Sequence, residues 1–139
     1  MIIPEFQGKG LSKVMVQAMK DIGVGYGFKT LIAPVRPSQK CEHPKMSMER
    51  YIKLKNDKGL PYDAWMRVHA SLGARIVKVC PLSMRITGTV EEWEKWTGQS
   101  FPETGEYDVP EALVPITIDL SLDMGIYNEP NVWMVHEGL

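Results

Sequence analysis

The sequence predicts an α/β domain, and three observations carry that prediction. Leu11, Val14, Met15, Ala18, Met19 and Ile22 fall on one stripe at helical spacing. A second helix is signalled by Pro61 and runs from Asp63 to Leu72, with Gly73 placed to cap its end. Between and after them lie strand-like runs at Phe28–Val35, Ala74–Cys80, Ala112–Leu120 and Asn131–His136, two of which (74–80 and 112–120) alternate in polarity. The chain has 139 residues, 44% of them hydrophobic, and a net charge of -1, which suits one domain with a sizeable core. Near-neutral charge gives no reason to expect nucleic acid or an anionic membrane as partner. No apolar run approaches spanning length and no export signal opens the chain, so Cys41 and Cys80 are expected as reduced thiols in the cytoplasm. Their spacing is neither metal-type nor redox-type, and no metal site is expected.

In chain order, the first element is the turn Pro4-Glu5-Phe6-Gln7-Gly8-Lys9-Gly10 that runs straight into the Leu11 helix. The first helical turn carries unpaired N–H groups and the positive end of the helix dipole. Gly8 and Gly10 allow backbone conformations that bring those groups close to an anion, so the stretch is a candidate seat for phosphate or pyrophosphate. The same glycines also suit a plain tight turn. The P-loop and the dinucleotide fingerprint are both excluded by spacing.

Gln7-Gly8-Lys9-Gly10-Leu11-Ser12, with Pro4 upstream, resembles motif A of the GNAT superfamily of N-acetyltransferases, Gln/Arg-x-x-Gly-x-Gly/Ala. Ser12 stands where the motif has Gly or Ala. The resemblance implies that Gln7, Gly8, Lys9, Gly10, Leu11 and Ser12 bind the pyrophosphate of acetyl-CoA, the co-substrate. It also implies a mixed, mostly antiparallel sheet flanked by helices, with the Leu11–Ile22 helix on one face and the Asp63–Leu72 helix on the other. In that family the loop follows the fourth strand, and Met1-Ile2-Ile3 is only a stub of one. Residues 1–139 are therefore expected to form a single GNAT-like domain lacking its N-terminal strands. Its exposed sheet edge would favour a homo-oligomer.

Past the helix, glycines at 23, 25 and 27 break the period and the 28–35 strand follows. Counting the stub as a strand, this makes a β-α-β crossover. Arg36 and Lys40 lie at that strand's carboxyl end, as carboxylate or phosphate contacts or as a solvated basic loop. A short helix is expected over Lys45–Leu54 before the turn at Asn56–Gly59. In the family, the helix before Gly73 carries a tyrosine that protonates the departing thiolate, and His69 occupies that position. Histidine can donate a proton near neutral pH, or can be a packed core residue. Asp63 falls on another side of that helix, so no Asp–His pair is assumed.

Pro81–Ile86 can extend the sheet. Thr89-Val90-Glu91-Glu92 reads as a capping box opening a short helix through Trp93 and Trp96, both expected to cover the core, and Gly98 stops it. Residues 99–110 read as loop. Asp123-Met124-Gly125 marks a turn, and Tyr127, Asn128, Glu129 and Asn131 gather polar groups before the last strand. Tyr127 is the substitute general acid if His69 is structural. Three functions stay open: an acyl-CoA-dependent N-acyltransferase acting on an amine, or the cofactor-binding half of one; a degenerate CoA-binding or interaction domain without turnover; and an unrelated α/β domain with a glycine turn.

Overall fold

The computed structural model describes residues 2–139. Its elements are α1 (Leu11–Gly25), β1 (Thr30–Val35), α2 (Met48–Tyr51), α3 (Ala64–Ser71), β2 (Arg75–Gly88), α4 (Val90–Thr97), β3 (Gly105–Tyr107), β4 (Ile116–Asp119) and β5 (Met124–Glu137). All strand pairs are antiparallel, and β5 is the spine. Along one side β2 pairs with nearly its whole length; along the other, β1 takes the C-terminal half and β4 the N-terminal end. The α/β, mostly antiparallel architecture expected from the sequence is what forms.

Local signals explain most boundaries. Thr89 accepts from the Glu92 N–H while the Glu92 carboxylate accepts from the Thr89 N–H, so the expected capping box opens α4, and Gly98 closes it at φ 70°. Asp63 accepts from the N–H groups of Trp65 and Met66 and caps α3. The 112–120 run narrows to β4, which forms a hairpin with β5 through Thr117 opposite Ile126. The turn lies at 120–123, and Met124 and Gly125 already belong to β5. The polar group Tyr127 to Asn131 is therefore inside the last strand. Pro81 in β2 sits where the register shifts between Cys80 and Met84, a position that needs no N–H in the ladder.

The core has two parts. Val35, Met48, Tyr51, Met66, Leu113, Val132 and Met134 gather beneath α3, and Trp93, Phe101, Ile116, Ile118 and Tyr127 gather beneath α4. Trp96 does not join them: it is 54% exposed and stacks edge-on against Trp93.

Three further expectations are corrected. Ile2 and Ile3 join no sheet, Pro4–Phe6 is a single 3-10 turn, and Met1 lies outside the described residues. No strand precedes α1 among the described residues, so the expected crossover does not form. The helix expected over 45–54 shrinks to α2, because Ser47 is its N-cap. Finally, α1 and α3 lie against each other instead of on opposite faces, and Lys20 Nζ donates to the Leu72 carbonyl at 2.9 Å. The reason is rotational. The inward side of α1 carries Val16, which is fully buried, with half-buried Lys20 and Gly23. Val14, Met15, Met19 and Ile22 of the apolar stripe face outward.

Candidate functional site

The glycine loop has an unusual donor inventory. Gly8 and Gly10 adopt φ 73° and 74°, and Gly10 is the N-cap of α1 with no side-chain cap. Gly10 accepts from Lys13 and Val14 through its carbonyl. By contrast, the N–H groups of Gly8, Lys9, Gly10, Leu11 and Ser12 make no hydrogen bond among the described residues. The helix geometry explains the last two, since the first turn has no intrahelical acceptors. Alternation through left-handed glycines leaves the preceding three free as well, the arrangement that forms anion-binding concavities. A Cβ on either glycine would meet nothing within 4 Å, so the loop is open to a ligand. Gln7 is tied back, its side-chain amide donating to the Ile2 carbonyl, and Lys9 Nζ sits 5.2 Å from the Phe6 ring centroid.

The second concentration of chemistry is the face of β5. Glu129 is 3% exposed and fully engaged. Its Oε1 accepts from Arg36 Nε at 2.8 Å and from the Tyr127 hydroxyl at 3.0 Å, and its Oε2 accepts from Asn131 Nδ2 at 3.1 Å. The Tyr127 oxygen in turn accepts from the Leu113 N–H. Burial, reinforced by the neighbouring carboxylate, pushes the Tyr127 phenol up to about 12, so it stays protonated at neutral pH. A cleft of about 490 Å³ opens over Arg36, Tyr127 and Glu129.

His69 lies elsewhere, inside the α1–α3–β5 junction. It is 2% exposed, with Nδ1 at 3.1 Å from Nε2 of the equally buried His136 and its ring edge-on to Trp65. Burial first, then His136, lowers its pKa to about 4, so the imidazole is neutral at pH 7. One ring donates and the other accepts. Which of the two carries the shared proton depends on the tautomer.

The loop, His69 and Tyr127 thus belong to three settings: an exposed turn, a helix–sheet junction, and a cleft wall. Sequence reasoning missed the histidine pair, because Leu31 opposite His136 gives no local hint of a partner on α3. It also took Lys40 as a loop cation. Lys40 is fully buried, donating to the carbonyls of His43 and Leu113 at 2.7 Å each, and burial lowers its pKa. Asp63, set aside as a partner of His69, instead holds Tyr51 and the Gln39 N–H.

No protein-family model matches the chain. It is 34% identical over 146 residues to the arginine N-acetyltransferase avaD of Aspergillus versicolor, an alignment that covers 92% of this chain and 50% of that protein. Among solved structures, the loading GNATL domain of CurA from Lyngbya majuscula superposes with a TM-score of 0.58 at 21% identity, covering 98% of this chain and 50% of that one. The chain spans about half the length of the relatives it matches. In sequence and in fold the chain is GNAT-like, and it resembles the GNAT superfamily of N-acetyltransferases over about half of each of these proteins.

Proposed function

We propose that the chain supplies the acyl-CoA-binding half of an N-acyltransferase that moves an acetyl group from acetyl-CoA to an amine. The observation that carries this reading is the run of five unpaired N–H groups from Gly8 to Ser12 at the start of α1. Five free donors and a helix dipole suit a pyrophosphate, and Lys9 adds a positive charge beside them. Acetyl-CoA held there supplies the acyl group as a thioester. In the transfer, the amine nitrogen bonds to the acyl carbon, the carbon–sulfur bond breaks, the amine loses a proton and the sulfur gains one. Tyr127 is the candidate donor of that last proton, since it is a neutral phenol on a cleft wall. His69 enters as the residue that holds α3 to β5 through His136. The relative avaD is named for arginine, which makes arginine the first acceptor to try.

One observation favours a second reading, CoA binding without turnover. Tyr127 and His69 are both buried and both already committed to partners inside the protein. The proposal also includes self-association as a homo-oligomer. Among the described residues β1 pairs only with β5, which leaves its outer edge open, and Ile32 on it and Val14, Met15 and Ile22 on α1 are more than half exposed. A second copy's β1 can pair antiparallel with that edge. The site of action proposed is the cytoplasm. No helix among the described residues is long and apolar enough to cross a membrane.

A thermal-shift titration tests the binding claim: acetyl-CoA should raise the melting temperature and adenosine should not. Mass-detected acetylation of arginine and other amines separates transfer from binding alone. Light scattering that reports a monomer near 15.7 kDa at micromolar concentration would refute self-association.

A further inference from the structure

Arg36 is a basic residue that the acyl-transfer reading leaves unused. It follows β1 and lines the 490 Å³ cleft, together with Met84 and Ile86 of β2 and Trp93 and Trp96 of α4. That volume falls in the roughly 300–1,000 Å³ range of small-molecule pockets, and those four walls are apolar.

The polar groups of the cleft are not equivalent. Glu129 has both oxygens engaged, so it has little to offer an incoming amine. The guanidinium is differently placed. Nε donates to Glu129 and Nη2 donates to the Glu111 carbonyl at 2.9 Å, which fixes its plane. Nη1 makes no hydrogen bond among the described residues, and the side chain is 47% exposed. A pre-oriented guanidinium loses little entropy on taking an anion, and its planar N–H groups match a carboxylate. Two carboxylates face such an anion: Glu129, already paired with Nε, and Glu111, exposed on the rim.

We propose that this cleft binds a small carboxylate with an apolar body. The carboxylate sits on Arg36 Nη1, and the body lies against Trp93, Trp96, Met84 and Ile86. The site shares its cleft with Tyr127, the acid of the proposed transfer, but binding there needs neither CoA nor the glycine loop.

The test uses the full chain and 3-phenylpropionate as probe, followed by NMR of the Arg36 Nε–H and tryptophan indole signals. The neutral 3-phenylpropanamide and the cationic 3-phenylpropylamine are the controls. The acid should bind at least tenfold more tightly than either control. Arg36→Lys should cost the acid about tenfold and leave the amide unchanged. Trp96→Ala, at a position 54% exposed, should weaken acid and amide alike. Glu111→Gln should tighten the acid a few-fold. Equal binding of the three probes, preference for the amine, or no saturable binding would overturn the site. If Arg36→Lys does not fold, the probe series with Trp96→Ala and Glu111→Gln decides it.

Discussion

The glycine loop ahead of α1 and the polar face of β5 are built in opposite ways. In the loop, five N–H groups lack partners among the described residues, a Cβ on Gly8 or Gly10 would meet nothing within 4 Å, and the conformation alone demands glycine. On β5, Glu129 has three partners, Tyr127 has two, and Gly125 is crowded. An open loop with unspent donors is suited to receive a ligand. A saturated buried network is suited to hold a wall still, since leaving any member unpaired there is costly. The same residue type, glycine, therefore answers to φ at position 10 and to space at position 125.

The sharpest way to break that contrast is to add a methyl group at each. On Gly125 it would fall on the Trp93 indole and 2.9 Å from Ile118 Cδ1, so Gly125→Ala should cost about 3 kcal/mol in denaturant unfolding. Gly10→Ala meets no atom and should cost only about 1 kcal/mol, from the left-handed backbone. Equal losses would show that the two glycines are not held for different reasons.

Acid should find the interior before it finds the loop. The His69 pKa is about 4 in the fold against 6.5 unfolded, so the unfolded chain binds the extra proton between those values. Its contribution is complete above pH 6.5 and is lost as pH falls toward 4, up to about 3 kcal/mol. His136 is lowered as well and acts in the same direction. His69→Gln should flatten this dependence in urea melts between pH 7 and 4.5, and an unchanged slope would mean the pair titrates normally.

Smaller again, Tyr127→Phe removes the hydroxyl that links Leu113 to Glu129, and a loss of about 1–2 kcal/mol is expected by thermal melt. If acyl transfer occurs, the same variant should lower its rate while leaving CoA affinity unchanged. At the small end, Lys9→Ala should weaken CoA binding by about 1 kcal/mol or less, because its exposed charge only supplements backbone donors.

Much of this was legible in the sequence where the signal is local. The capping box at Thr89, the Asp63–Leu72 helix and the 28–35 strand depend on neighbouring residues and formed within a few positions of where they were read. Periodicity, however, says which residues share a face and not which face is covered. The stripe of α1 is real, yet the helix docks by Val16, Lys20 and Gly23, because Lys20 reaches the Leu72 carbonyl and Gly23 leaves room for Leu139, whose Cδ1 would lie 3.3 Å from a Cβ there. Long-range pairing was equally hidden. Nothing near Lys40 announces Leu113, nothing near His69 announces His136, and Arg36 meets Glu129 only because β1 and β5 are neighbours in the sheet.

The central claim is that the loop's backbone donors hold a pyrophosphate, and calorimetric titration of CoA into the unmodified chain and Gly10→Glu tests it most directly. The substitution puts a carboxylate where the anion should sit, ahead of every residue that packs α1, so circular dichroism should report an unchanged helix content. The account predicts saturable binding by the unmodified chain and at least a hundredfold loss in the variant. Equal CoA affinity in the two, with the helix intact in both, would contradict it.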